Sequence, residues 1–426
     1  PARLEALSLI DLNLISASLL VSTSLLTTLS TSNASIIKDA VIGEDKIILT
    51  GTANNGAALN VAALGNITAG AYTTVFGTNH KFTLTGSTAS DLSNLVQFGK
   101  QAVAATATTA AVAEAAYAAA VNVALTTGSF NDVVVTGATG NINLGAGDDK
   151  ITTAATYTGT ITGGAGSDTF VISNATAGTA TIADLGATDI LQVTGTATVN
   201  VVESFTATAA TTNAATTTTL NLKDGVNVDM TLATLTAATN GYTITTDAAV
   251  TKGATIVGSR GNDTITGSKF ADTITGGEGA DTITAGAGAD TIILTESVSA
   301  IDTVVLGTVT AAGIDTIVGF NAGTNLLAGQ VDTIKTSATA NTSALVLSDK
   351  GTLATTTYAN LDAALASFAT TGANATTAFN AYQFKYDSKD YLLIDNGTDG
   401  YDAATDSVVE ITGLVGILDA TDILNA

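Results

Sequence analysis

The chain has 426 residues, with 37 acidic against 14 basic side chains and a formal net charge of −23, which argues against nucleic acid or an anionic membrane surface as partner and makes cations the natural complement. Only 12% of residues are charged and cysteine is absent, so Thr, Ser and Asn must build the polar surface, and disulfides, thiolate metal sites and Cys nucleophiles are excluded. The mean hydropathy of +0.39 invites a membrane reading, but no stretch supplies the ~20 consecutive apolar residues that a spanning helix needs.

The chain begins at Pro1 with no initiator Met and no basic segment leading to a cleavage site, as expected of a mature, processed or partial chain. From Leu4 to Leu29 aliphatic residues recur at mixed two- and three-residue spacing, which fits helix and buried strand equally. Residues 36–98 are richer in β-branched residues and predict short strands such as Lys46–Thr50 and Lys81–Thr85, so 1–99 reads as a β-rich region. Between Gly99 and Gly128 lies an Ala run without internal Gly or Pro, which predicts a helix over 100–126 and a helical connector at 100–127. Residues 128–200 return to Val/Ile/Thr strands broken by Gly-rich loops. After a Thr/Ala-rich β spacer at 201–250, a related block occupies 251–340, an imperfect internal duplication. The last segment, 341–426, is expected to form a small α+β module with a short helix at Tyr358–Phe368 and aromatic strands at Tyr382–Tyr386 and Tyr391–Ile394.

Within the second block, four units align without a gap: GSRGNDTIT, GSKFADTIT, GGEGADTIT and AGAGADTII, starting at Gly258, Gly267, Gly276 and Ala285. Glycines at positions one, two and four let a loop turn tightly and bring backbone carbonyls toward an ion, while the aspartate at position six adds a carboxylate. The aspartates are Asp263, Asp272, Asp281 and Asp290. The loop positions expected to join them are Gly258, Arg260 and Gly261; Gly267 and Lys269; Gly276, Gly277 and Gly279; Gly286 and Gly288. Phe270 stands where the second unit should carry Gly, which puts the carbonyl geometry of that loop in doubt. The Thr-Ile-Thr that follows each loop predicts a three-residue strand whose Ile alone points inward between two parallel sheets.

If each nine-residue unit is half a turn, loops eighteen residues apart stack on one side, pairing Asp263 with Asp281 and Asp272 with Asp290. Two upstream loops, with Gly145, Gly147 and Asp149, and with Gly163, Gly164, Gly166 and Asp168, offer a third pair spaced by nineteen. Carbonyls and carboxylates are hard ligands of the kind Ca2+ selects, so several calcium ions are the expected cofactor. A metal-free β-solenoid with Asn/Asp turns is the competing reading.

These residues resemble the repeats-in-toxin (RTX) family, whose consensus GGxGxDxUx, U being a large apolar residue, is matched in full by Gly276–Thr284. The resemblance covers residues 140–172 and 255–294. It implies a mainly β fold, a parallel β-roll or β-solenoid, unfolded in low-calcium cytosol and folding once exported by a type I system that reads a C-terminal signal. The tail from Phe384 through Tyr391–Asp395 to Leu414 resembles the ends of Gram-negative surface-layer proteins. Within that tail Asp395-Asn-Gly-Thr-Asp399-Gly repeats the oxygen spacing of an EF-hand loop, with Asp406 at the twelfth position, so Asp395 and Asp399 are candidates for a further calcium site, against an Asn-Gly hairpin turn.

No catalytic constellation is evident. His80 is the only histidine, which rules out an HExxH zinc site, and there is no G-x-S-x-G elbow and no Walker loop. The expectation is a non-catalytic structural protein of the extracellular cell surface, a calcium-dependent self-assembling surface-layer or filament subunit. Its partners would be other copies of itself and a cell-surface glycan or lipopolysaccharide; a secreted adhesin or biofilm-matrix protein is the alternative.

Overall fold

The computed structural model describes residues 131–424, apart from 137, 174–177, 215–217, 299, 309–312, 324–330, 337–344, 371–378 and 396–400, together with Thr127 and short strands between residues 24 and 126. Among those strands, Ser24–Leu26 pairs in parallel with Ile47–Leu49, and Ser35–Ile37, Ala58–Ala62 and Lys81–Thr85 form a parallel sheet. The remainder of the Leu4–Leu29 segment lies outside the described residues.

The helix expected over 100–126 is corrected where the segment is described. Tyr117–Ala118 and Leu125–Thr126 are strands, paired in parallel with Val133–Val135 and Ile142–Asn143. Alanine's helix propensity is a weak prior, and the edge of a parallel sheet overrides it by offering a row of open backbone partners. The rest of the segment lies outside the described residues.

The chain divides into two units, Pro1–Asp184 with Thr188–Ala197, and Leu185–Ala187 with Thr198–Ala426. In the first, Val133–Val135, Lys150–Thr152, Thr169–Ile172 and Ile190–Val193 pair in sequence, every pairing parallel. Their register places Val134, Ile151, Phe170 and Leu191 in one fully buried column. A second row, Ile142–Asn143, Gly159–Thr162 and Ala180–Leu185, stacks Ile142, Ile161 and Ile182 the same way. Alternate strands of the chain therefore feed alternate sheets, so that two successive strands complete one turn.

The second unit repeats this plan with shorter strands. Thr243–Thr246, Thr264–Thr266, Thr282–Thr284, Thr303–Leu306 and Thr333–Thr336 form one parallel row. Thr255–Val257, Thr273–Thr275, Thr291–Ile293 and Asp315–Val318 form the other. Each Thr-Ile-Thr strand buries only its isoleucine, giving inward columns Ile265–Ile283–Val304 and Ile256–Ile274–Ile292–Ile317, all with no exposed surface. One inward isoleucine per nine residues is a small apolar return on the entropy of ordering Gly-rich loops. Something besides the core must hold the loops.

The C-terminal end behaves as the sequence suggests. Asn360 caps helix Leu361–Ala366, its side-chain oxygen accepting the Ala363 amide at 2.9 Å. Phe379–Tyr386 and Lys389–Asp395 form an antiparallel hairpin, turned by Asp387 and Ser388 at φ 48° and 66°. Phe368, Phe384 and Tyr391 pack between helix and hairpin with ring centroids 5.2 and 5.4 Å apart. Ser407–Thr412 then joins this hairpin to Asp315–Val318, so the module covers what would be an open parallel edge.

Candidate metal centre

Each strand that closes one of the four nonapeptide units is preceded by an aspartate whose side chain folds back over its own loop. The position-one glycine makes room for it: a Cβ at Gly276 would lie 2.5 Å from Asp281 Oδ2, and one at Gly163 would lie 2.4 Å from Asp168 Oδ2. Gly258 and Gly267 stand in the same relation to Asp263 and Asp272. The aspartate carbonyls are spent in the sheet, accepting the amide that opens the strand one turn on, as Asp263 does from Thr282 at 2.9 Å and Asp281 from Thr303 at 2.7 Å.

The aspartate amides do something else. Each donates to Oδ1 of the aspartate one turn later, so the carboxylates form ladders. In the first unit the ladder runs Asp132 to Asp149 to Asp168 to Asp189, at 2.7, 2.9 and 2.9 Å. In the second unit one ladder runs Asp263 to Asp281 to Asp302 to Asp332, at 2.8, 2.9 and 3.0 Å. The other runs Asp272 to Asp290 to Asp315, at 2.8 and 3.0 Å. The structure thus brings together the three pairs expected from spacing, Asp263 with Asp281, Asp272 with Asp290, and Asp149 with Asp168, and extends every one.

The second carboxylate oxygen divides the loops into two kinds. Oδ2 of Asp149, Asp168, Asp281 and Asp290 is buried and has no hydrogen-bond partner among the described residues. In these loops positions two and four are glycines with positive φ: Gly145 86°, Gly147 122°, Gly164 97°, Gly166 138°, Gly277 113°, Gly279 108°, Gly286 111° and Gly288 120°. At Gly277 a second requirement is added, because a Cβ there would lie 2.1 Å from the Ser259 carbonyl oxygen of the loop below, and Gly164, Gly166 and Gly286 sit as close to the carbonyl oxygens of Gly145, Gly147 and Ser268. Neighbouring loops stack backbone on backbone.

In the two loops with serine at position two the arrangement differs. Ser259 donates its amide to Asp263 Oδ2 at 2.6 Å and its hydroxyl reaches both carboxylate oxygens, at 2.9 and 3.1 Å. Ser268 donates its amide to Asp272 Oδ2 at 2.5 Å and its hydroxyl to Oδ1 at 3.1 Å. The Phe270 amide donates in turn to Ser268 Oγ at 3.0 Å, as the Gly261 amide does to Ser259 Oγ at 3.1 Å, so the loop with Phe270 closes in the same way as the one that keeps its glycine. Asp263 and Asp272 are sealed by protein donors; Asp281 and Asp290 are not. Arg260 and Lys269 are exposed at position three, Lys269 Nζ lying 5.5 Å from the centre of the Phe270 ring. Gly261 is buried without a positive φ.

A buried carboxylate with one oxygen unmatched resists ionisation. Burial, reinforced by neighbouring aspartates, pushes Asp281 up to about 9 and Asp149 up to about 8, against the amide bonds that favour their charged forms. Burial likewise raises Asp290 to about 7 and Asp168 to about 6. Rows of inward, orphaned, hard oxygen atoms are the donor set that a divalent hard cation would satisfy, so the residues present fit calcium.

Asp132, Asp189, Asp302, Asp315 and Asp332 extend the ladders beyond the residues singled out by spacing. Asp132, Asp189, Asp302 and Asp332 each precede a strand and Asp315 opens one, and in Asp302-Thr-Val, Asp315-Thr-Ile and Asp332-Thr-Ile the motif survives while the interval lengthens. A search for Asp-Thr-Ile/Val without a fixed period would have found these three. Asp184 was also missed; its two oxygens accept the amides of Gly163 and Gly164, both at 2.9 Å. In the tail, Asp395 is buried and Asp399 lies outside the described residues. Asp406 accepts the Asp402 amide at 2.7 Å, closing its own turn.

Comparison with protein families gives a match over residues 256–292 to the RTX calcium-binding nonapeptide repeat, in 4 copies. No curated protein matches the chain. Among the described residues no helix is long and apolar enough to cross a membrane.

Proposed function

We propose that this chain, an RTX-type β-roll through its nonapeptide repeats, is a secreted, non-catalytic structural protein of the cell surface that assembles with copies of itself in a calcium-dependent layer or filament. The observation that carries the reading is the set of buried, orphaned Oδ2 atoms on Asp149, Asp168, Asp281 and Asp290, held in stacked loops that a bridging Ca2+ would tie together. A cation binding only the folded roll stabilises it by RT ln(1 + [Ca]/Kd), about 2.7 kcal/mol per site at a hundredfold excess over Kd. The ion then acts as a folding switch. A single histidine and no cysteine leave the acidic ladders as the main chemistry on the chain, and their geometry suits ion binding. Negative-stain microscopy with calcium should reveal a regular lattice or filament that EGTA dissolves; an array that survived complete calcium removal would sink this reading.

A second reading, a secreted adhesin or matrix protein, is favoured by one observation. The strand register aligns Thr219, Thr243, Thr264, Thr282, Thr303 and Thr333 in a single column, a regular row of hydroxyls along one face at the ~4.8 Å strand spacing. Such a row could match a carbohydrate or mineral surface. Dispersed monomers that bind polysaccharide in the same microscopy and pull-down conditions would select it.

A further inference from the structure

The same-side loop after Asp281 departs from the repeat. The interval to Asp302 is 21 residues instead of 18, and the connecting Leu294–Asp302 segment contains no glycine, so it cannot copy the positive-φ carbonyl cradle of the loop below. It brings in a side chain instead. Glu296 Oε2 accepts the Ala300 amide of its own loop at 2.9 Å, while Oε1 is buried with no hydrogen-bond partner among the described residues.

One ligand oxygen each from Asp281, Glu296 and Asp302 lie within 4.8 Å of one another. Asp281 and Asp302 are each 1% exposed, and Asp281 Oδ2, like Glu296 Oε1, is an orphan. The neighbouring repeat fixes this arrangement: Glu278 accepts the amides of Ser297 and Val298 at 3.1 and 3.0 Å and also the Ser297 hydroxyl, clamping the loop down with Glu296 turned inward. The ion pairs Lys223–Asp247, Lys385–Asp390 and Lys389–Glu410 leave the cluster untouched. Three carboxylates converge with two buried oxygens unmatched, and the clamp spends a further glutamate to hold them there.

We infer that Asp281, Glu296 and Asp302 form a divalent hard-cation site of the calcium class, outside the nonapeptide consensus, that closes the stack where the glycine loops end. Here side-chain oxygens replace the backbone carbonyls that a Gly-rich loop would supply, and water completes the shell. The site rests on the calcium reading of the roll but adds Glu296, which belongs to no repeat.

The test is calcium equilibrium dialysis and terbium luminescence on the full chain, with Glu296→Gln against wild type, and Asp302→Asn as a second variant. Glu296→Gln should bind one equivalent fewer, or bind it at least ~10-fold more weakly, and show a smaller calcium-induced rise in melting temperature while its calcium-free melting temperature is unchanged or higher. Equal stoichiometry, affinity and calcium-induced shift in both variants and wild type would overturn the site and leave the roll's calcium reading standing. A melting temperature lowered equally with and without calcium would reduce Glu296 to a structural role and overturn it too. A wild-type chain that binds no calcium would overturn both readings.

Discussion

The amide of Asp263 donates to Oδ1 of Asp281 at 2.8 Å across a separation of 18 residues, and Asp281 repeats the act toward Asp302 at 2.9 Å. Each aspartate is thus donor to one turn and acceptor from another, while only its second oxygen differs from loop to loop. That difference separates Asp281 from Asp263 in any mutational test. Asp263→Asn sets an amide group against the Ser259 donors and should cost about 1–3 kcal/mol with or without calcium. Asp281→Asn keeps the Oδ1 acceptor of the Asp263 amide and replaces only an oxygen, Oδ2, that no donor meets among the described residues. Its calcium-free stability should match or exceed wild type, and its calcium-induced gain should shrink by about 2.7 kcal/mol at a hundredfold excess of ion. Thermal melts of both variants, with calcium and with EGTA, check the contrast; identical behaviour would refute the two-loop distinction.

The raised carboxylates set the pH response of the calcium-free protein. Asp149, Asp281 and Asp290 are pushed to about 8, 9 and 7 in the fold, above the ~3.9 of an unfolded aspartate. The folded state therefore binds more protons across this interval, so their contribution is full below the unfolded value and is lost as pH rises through about 7 to 9. Circular dichroism in EGTA should report more β structure at pH 5 than at pH 8.5. Saturating calcium should flatten or reverse that slope, because the ion competes with protons for the same oxygens.

Backbone strain gives a third check. Gly277→Ala places a Cβ 2.1 Å from the Ser259 carbonyl at φ +113°, whereas Gly351→Ala meets nothing within 4 Å at φ +64°. Strain alone costs of order 1–3 kcal/mol, so Gly351→Ala should fall in that range. Gly277→Ala adds a clash between stacked turns and should lose more, with a calcium midpoint displaced to higher concentration. Urea unfolding and a calcium titration of each variant measure the two losses.

Ser259 and Ser268 offer a fourth. Replacing either with Ala removes a hydroxyl from a buried carboxylate but keeps the amide bond, and should cost about 1 kcal/mol. Since neither hydroxyl touches the orphaned oxygens of Asp281 or Asp290, the calcium affinity of those loops should stay at the wild-type value in a dialysis experiment.

The nine-residue rows were readable because Gly, Asp and Ile each do one fixed job at one fixed position, so stacking by eighteen followed once each unit was taken as half a turn. Beyond Asp290 the intervals stretch, and Asp302, Asp315 and Asp332 vanish from any periodic count although they occupy the same place in the ladder. Sealing by Ser259 and Ser268 was not legible either: serine at position two looks like a lost glycine, and only the fold shows its hydroxyl turned onto the aspartate four residues on. The strand at Leu125–Thr126 failed to register for a different reason, since local propensity in an Ala run says helix while the deciding partner, Ile142–Asn143, is supplied by the fold.

The intervals spanned by the aspartate link are 17, 18, 19, 21, 25 and 30 residues, yet the donor and acceptor atoms always meet between 2.7 and 3.0 Å. The roll therefore measures turns, not residues: its axial rise stays at ~4.8 Å per turn however much chain is spent between them. Surplus sequence leaves the column unlengthened. A lineage carrying this roll can change what its flank displays, by lengthening one loop, without altering the pitch of the column behind it.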